Sequence, residues 1–253
     1  MGNYCLVTKL KEAVQNDNLL KMGECILTAR TAVVNNGLYL KPKNSGSLDL
    51  AFSTPVSIYT ADWELIESNV SSYTATTVVK IALPVNTDVK IHIIKKGDIQ
   101  SVQAIGDVNV SFNGFDYLDS LGSLEFNTNG VLSNLDINFL KESDNINYVN
   151  IKNGVGGDIN AVSGKNLSEF RIYNASDVYG DIEAFSACTK ITILIINTTN
   201  ITGSVDNLLD ALAASGKTTT ISSLRISDKV TFSKGGAGSY SIVFSNGTWD
   251  VAS

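Results

Sequence analysis

The chain has 253 residues, with 19 Lys and Arg against 25 Asp and Glu and a net charge of −6. A nucleic-acid partner is excluded on these grounds, because phosphate binding needs a Lys/Arg surplus on some face and the densest basic pair, Lys95-Lys96, reads as a solvated turn. No stretch approaches the ~18 apolar residues of a membrane span, and residues 1–15 lack the apolar core of a secretory leader; the expectation is a protein made in a cytoplasm and kept there or released by lysis.

The first third reads as antiparallel β. Tyr4–Lys11 alternates apolar and polar positions, a turn cluster follows at residues 15–18, and Leu20–Thr31 alternates again. Asn35-Asn36-Gly37 is a hairpin signal, because Asn-Gly tolerates the positive φ angles of a type I′ turn; Ala32–Val34 and Leu38–Leu40 are its expected strands. Leu48–Phe52 and Val56–Tyr59 are expected as two strands about a turn at Pro55. Ala61–Ser68 is the best short helix, and Thr76–Leu83 is a further strand stopped by Pro84. Residues 1–87 are therefore expected to form a small sandwich or open barrel.

Residues 88–232 repeat. The pattern L-x-x-L-x-L-x-x-N-x-L is met by Ile105, Val108, Val110, Asn113 and Phe115, and by Leu121, Leu124, Phe126, Asn129 and Val131. Its strand portion recurs at Ile146/Val149/Ile151, Leu167/Phe170/Ile172, Ile191/Leu194/Ile196 and Ile221/Leu224/Ile226, and Val89–Ile94 is a candidate further coil. Alternate side chains of such a strand enter a core, and successive strands stack ~4.8 Å apart. The Asn can satisfy backbone groups in the turn that follows; Gly154, Ala175, Thr199 and Lys229 replace it in the later coils.

A second phrase marks the winding: Gly97-Asp98-Ile99, Gly157-Asp158-Ile159, Gly180-Asp181-Ile182 and Gly203-Ser204-Val205, the last three at a spacing of 23 residues. The Gly suits a tight turn, and Asp98, Asp158, Asp181 and Ser204 stand where a helix N-cap belongs. After Ser204, the stripe Val205, Leu208, Leu209 and Leu212 with Gly216 behind it predicts a helix. Ile159–Ser163 and Ile182–Cys188 predict shorter helical turns. In residues 233–253, Ser245-Asn246-Gly247 between Tyr240–Phe244 and Thr248–Val251 predicts a hairpin that caps the last coil. The fold class is thus mixed and mainly β: an antiparallel domain, an irregular α/β solenoid and a terminal hairpin.

No catalytic residue, cofactor or metal site is expected. Cys5, Cys25 and Cys188 are too scattered for a zinc site or disulfide framework and read as reduced, buried hydrophobes. Ala211 to Thr218 loosely matches a phosphate loop, but a helix precedes it and a strand follows, the reverse of the required order. His92, the only His, reads as a solvated strand residue opposite Ile91 and Ile93. Asp62, Trp63 and Glu64 can meet a carbohydrate, although Trp63 reads better as a half-buried anchor. The positions off the core-facing pattern, Asn147, Asn150, Lys152, Glu169, Arg171, Tyr173, Thr192 and Ile195, form the candidate recognition face.

The repeats resemble leucine-rich-repeat proteins, especially the variety whose repeats end x-L-x-G-x-I, as in Asn200–Val205. That resemblance implies a scaffold that binds protein partners through its strand-lined face, not a catalyst. The opening, Tyr4–Lys11 with Asn16–Glu24, resembles virion-associated proteins of phages of gut Bacteroidetes. It implies a non-enzymatic virion component, a head or tail fibre or a capsid decoration. Residues 1–87 would attach to other virion proteins, the solenoid would meet a host-surface protein or glycan, and the assembly would be a homo-oligomer. A bacterial leucine-rich-repeat surface adhesin is the alternative, and a carbohydrate-active enzyme built on a β-solenoid is a third reading.

Overall fold

A computed structural model describes residues 25–252, except 35, 43–45, 95–97, 114–119 and 128. The expected strand at Tyr4–Lys11, Cys5 and the phage-like opening lie outside the described residues. The protein is mainly β, with parallel and antiparallel pairing, and among the described residues no barrel closes. It divides into two compact units: Met1–Leu121 with Thr128–Asn134, and Gly122–Asn127 with Leu135–Ser253.

The first unit holds β1 (Cys25–Thr31), β2 (Gly37–Pro42), β3 (Leu48–Tyr59), β4 (Leu65–Ala75), β5 (Val79–Ala82), β6 (Val89–Ile94), β7 (Ile99–Ile105) and β8 (Val108–Asn113). Antiparallel ladders run in the order β8-β1-β6-β3-β5-β2-β7, with β4 on the far edge of β3. Leu38, Leu40, Leu50, Ile58, Ile81, Ile91, Ile93 and Val102 enter its core.

Several expectations fail here, each for a physical reason. The hairpin expected between Ala32–Val34 and Leu38–Leu40 does not pair them: Ala32–Val34 is an exposed bend, β2 pairs with β5 and β7, and Asn35 lies outside the described residues. Gly37 serves a close approach, since a Cβ there would overlap the Ile81 carbonyl. Pro55 does not separate two strands. It sits inside β3, between the ladder to β6 that ends at Phe52 and the ladder to β5 that starts at Ser57, where the missing N–H costs no bond.

No helix forms over Ala61–Ser68. The Thr60 and Glu64 backbones close a turn (Thr60 N–H to Glu64 O, 2.9 Å), Trp63 takes a φ of +66°, and β4 follows. Val89–Ile94 is not a parallel coil, because β6 pairs antiparallel with β1 and β3; β8, in the expected coil Ile105–Phe115, pairs antiparallel with β1 on one side and parallel with Leu132–Ser133 on the other, and Phe115 lies outside the described residues. Ile99 opens β7, so Asp98 caps no helix, and Gly97 lies outside the described residues. His92 is fully buried, because β6 is a central strand flanked by β1 and β3.

β9 (Ser123–Phe126) opens the second unit, while β10 (Leu132–Ser133) pairs with β8 in the first. Then come β11 (Leu135–Asp136), β12 (Tyr148–Ile151), β13 (Val155–Asp158), β14 (Glu169–Ile172), β15 (Asp177–Asp181), β16 (Ile193–Ile195), β17 (Asn200–Thr202), the helix α1 (Val205–Ala214), β18 (Ile221–Ile226), β19 (Gly238–Ser245) and β20 (Thr248–Val251). Parallel pairing in this unit starts at β9, not at residue 88. One ladder is β9-β12-β14-β16-β18, which puts Leu124, Val149, Phe170, Leu194 and Leu224 in one buried row. A second is β11-β13-β15-β17.

Between a strand of the second ladder and the next strand of the first lies a helical segment: 3₁₀ turns at Ile137–Glu142, Ile159–Val162 and Ile182–Phe185, then α1. Asp136, Asp158 and Asp181 cap the turns, accepting from the N–H of Asn138 (2.8 Å), Asn160 (2.9 Å) and Glu183 (2.9 Å); Ser204 caps α1 through Asn207 (3.2 Å). Gly157, Gly180 and Gly203 have φ of +113°, +118° and +104°. A Cβ on each would run into the carboxylate of the preceding coil's cap, Asp136, Asp158 and Asp181 in turn. The glycine of each phrase therefore houses the aspartate of the one before it.

Thr199 does the work expected of the repeat Asn. Its buried hydroxyl donates to the Ile196 carbonyl (2.9 Å) and accepts from the Ile201 N–H (3.4 Å). Asn129, which fits the pattern in sequence, is exposed and lies in the first unit. α1 ends at Gly216 (φ +82°), whose N–H bonds the Ala213 carbonyl while the Lys217 N–H reaches Leu212, a Schellman motif. β19 and β20 form the expected hairpin on β18, with Asn246 (φ +51°) and Gly247 (φ +76°) in its turn. Trp249 fixes it by donating to Asp210 of α1 (2.7 Å).

Candidate functional site

Two rows cross the outer face of the β9-β12-β14-β16-β18 ladder, opposite the buried row. In register they read Glu125, Asn150, Arg171, Ile195, Arg225 and Ser123, Tyr148, Glu169, Ile193, Ser223. The strict alternation of Tyr148-Val149-Asn150-Ile151 produces this: Val149 and Ile151 go inward, so Tyr148 and Asn150 go outward.

Of the eight expected face residues, Asn150, Glu169 and Arg171 are brought together. Arg171 Nη2 donates to Glu169 Oε2 at 2.6 Å, with both side chains about a quarter exposed (28% and 27%). Asn150 Nδ2 donates to the Tyr148 hydroxyl (3.3 Å) and to Glu125 Oε1 (3.4 Å), and the Tyr148 hydroxyl donates to the same Glu125 oxygen (3.5 Å). Burial raises the Tyr148 phenol above its ordinary value; the Asn150 hydrogen bond opposes this, and Glu125 adds to it. Asn150 itself is only 3% exposed.

Lys152 and Tyr173 sit half-buried where the chain leaves β12 and β14, their N–H groups bonded to Phe126 O (3.1 Å) and Ile151 O (2.9 Å). Ile195 points to the outer face but is buried and apolar, so it offers no polar group for recognition. Asn147 and Thr192 lie one step before the face. They belong to a ladder at the strand entrances, in which the hydroxyls of Ser168, Thr192 and Ser222 donate to the carbonyls of Asn147, Ser168 and Thr192 (2.9, 3.1 and 3.1 Å). Glu125 and Tyr148 were missed by sequence reasoning. Counting back by two from Asn150, rather than three, would have found Tyr148.

The other sequence candidates lie away from this face. Lys217 of the phosphate-loop-like stretch is buried, donating to the carbonyls of Thr189 (3.0 Å) and Ile191 (2.6 Å) and to the Thr219 hydroxyl (2.8 Å). Burial pushes its amine down to about 8, opposed by neighbouring Cys188. Cys188 is free and buried, its thiol pushed up to about 11 by burial, and it donates to the Lys165 carbonyl (3.2 Å). Trp63 is exposed rather than half-buried, with the Tyr59 ring at 5.6 Å and the Lys80 amine 4.5 Å from its ring centroid.

No family model and no curated protein matches the chain. Among solved structures it is similar in part to a plant peptide hormone receptor, RGFR1, in complex with RGF2. The match is 22% identical and covers 46% of this chain and 17% of that one, at a TM-score of 0.31.

Proposed function

We propose that this chain is a non-enzymatic virion structural protein, a fibre or capsid-decorating component. In this reading its second unit is a leucine-rich-repeat-like solenoid that presents the outer strand face to a protein or host-surface partner. Its first unit attaches to other virion proteins, and the chain assembles as a homo-oligomer. The observation that carries the recognition half is the polar patch of Glu125, Asn150 and Arg171 in one row and Tyr148 and Glu169 in the next, gathered from three successive strands on one face. The attachment half rests on the resemblance of Tyr4–Lys11 and Asn16–Glu24 to phage virion proteins.

Immunogold labelling of purified particles with an antibody to this chain tests the location. Label at regular positions on the particle is the expected result. Label confined to the bacterial envelope would favour a surface adhesin, and its absence from particles would refute the virion assignment.

A further inference from the structure

Two polar atoms on the outer face are buried and meet no hydrogen-bond partner among the described residues: Asn150 Oδ1 and Arg171 Nε. They belong to register partners on adjacent strands, Asn150 of β12 and Arg171 of β14, ~4.8 Å apart in the ladder. One is an acceptor and the other a donor. A buried polar group without a partner is costly, and such groups call for an explanation each. Here two of complementary sense stand side by side on the proposed recognition face.

We propose that this pair is a seat for a primary carboxamide, the side chain of an Asn or Gln on a protein partner; the inference rests on reading this face as the recognition surface. The carboxamide oxygen accepts from Arg171 Nε–H, and its NH₂ donates to Asn150 Oδ1. Charged groups fit less well. A carboxylate would satisfy Arg171 but face the Asn150 oxygen and the carboxylates of Glu125 and Glu169. An ammonium would suit Asn150 and leave Arg171 Nε–H unmet beside a second cation. Asn150 and the guanidinium are both planar, and a flat amide lies between them more readily than a puckered sugar ring. Both atoms are closed to solvent in this conformation, so the seat opens only when neighbouring side chains shift; the Tyr148 hydroxyl contacts Asn150 (3.3 Å) and Glu125 (3.5 Å).

Titration of the full chain with acetamide, followed by NMR at the Arg171 Nε–H and the Asn150 side-chain amide, tests the seat. Arg30 and Arg225, the other two arginines, are internal controls. The expected result is a shift at Arg171 several-fold larger than at either control and abolished in Asn150→Leu, with the shift at the Asn150 side-chain amide abolished in Arg171→Lys, while the backbone spectrum of each variant stays dispersed. An equal shift at all three arginines, a larger response to acetate or to glucose, or a response unchanged in Asn150→Leu would overturn it. If the variants fail to fold, wild-type protein still decides through the ranking of acetamide, acetate and glucose. The titration requires no partner or particle, so a silent titration with label on virions would sink this inference and leave the proposed function standing.

Discussion

Two residues make the clearest cases for what single side chains do. At Gly180, a Cβ would stand 2.8 Å from both Asp158 Oδ1 and Ile159 Cγ2, on a backbone at φ +118°. Gly164 has φ +75° with open space around it. Gly180→Ala is therefore expected to destabilise by about 1–3 kcal/mol, and by more than Gly164→Ala, which bears the conformational term alone. Urea unfolding of the two variants measures the difference. Lys217 gives a pH signature. Its amine titrates near 8 in the folded chain against an ordinary 10.5, so the unfolded chain binds more protons between those values and stability rises with pH there. Cys188, raised from 9 to about 11, acts in the opposite sense above pH 9. Denaturation midpoints from pH 7 to 9 should climb in wild type and flatten in Lys217→Met, which should also be less stable throughout because the carbonyls of Thr189 and Ile191 lose their donor.

Among the elements, α1 is the one with every terminal device in place: Ser204 at its start, the buried stripe Val205, Leu208, Leu209 and Leu212, and the Gly216 stop. Ser204→Ala should cost about 1 kcal/mol, read as a lowered urea midpoint with an unchanged slope. This helix, the short turns after Asp158 and Asp181, and the Asn246-Gly247 hairpin were legible in sequence because caps, stops and type I′ turns are local chemistry. Pairing was not. The alternation in Val89–Ile94 or Val108–Phe112 serves an antiparallel strand as well as a coil of a parallel stack, since both bury every second residue. The Gly in Asn36-Gly37 was misread for a related reason: close approach to Ile81 and a positive φ select the same residue. The capping turn at Asp136 went unseen because Leu135 stands where its relatives carry Gly. Of the candidate face, Asn150, Glu169 and Arg171 were legible from the alternation, whereas the burial of Ile195 depends on neighbours across strands that no local pattern records.

For the molecule as a whole, the coils of the second unit are fastened to one another rather than closed on themselves. Lys165 donates to the Lys141 carbonyl (2.6 Å), Cys188 to that of Lys165, and Lys217 to those of Thr189 and Ile191, each tie crossing from one coil to the one before. Stability in such a stack is a sum over neighbours. The joint between Gly180 and the cap at Asp158 has the same character, and it makes the chain editable. Plug and socket lie on different coils, so what the sequence inherits as a unit runs from one aspartate to the next glycine, 23 residues from Asp158 to Gly180. Excising that segment joins Gly157 to Asp181 and restores the phrase, with the Asp136 carboxylate still housed. The shortened protein is expected to unfold cooperatively by circular dichroism, whereas a cut four residues shorter, which leaves the joint out of step, is not. Lineages carrying this protein could thus lengthen or trim it one coil at a time, by unequal recombination between the Gly-Asp-Ile phrases, without redesigning a core.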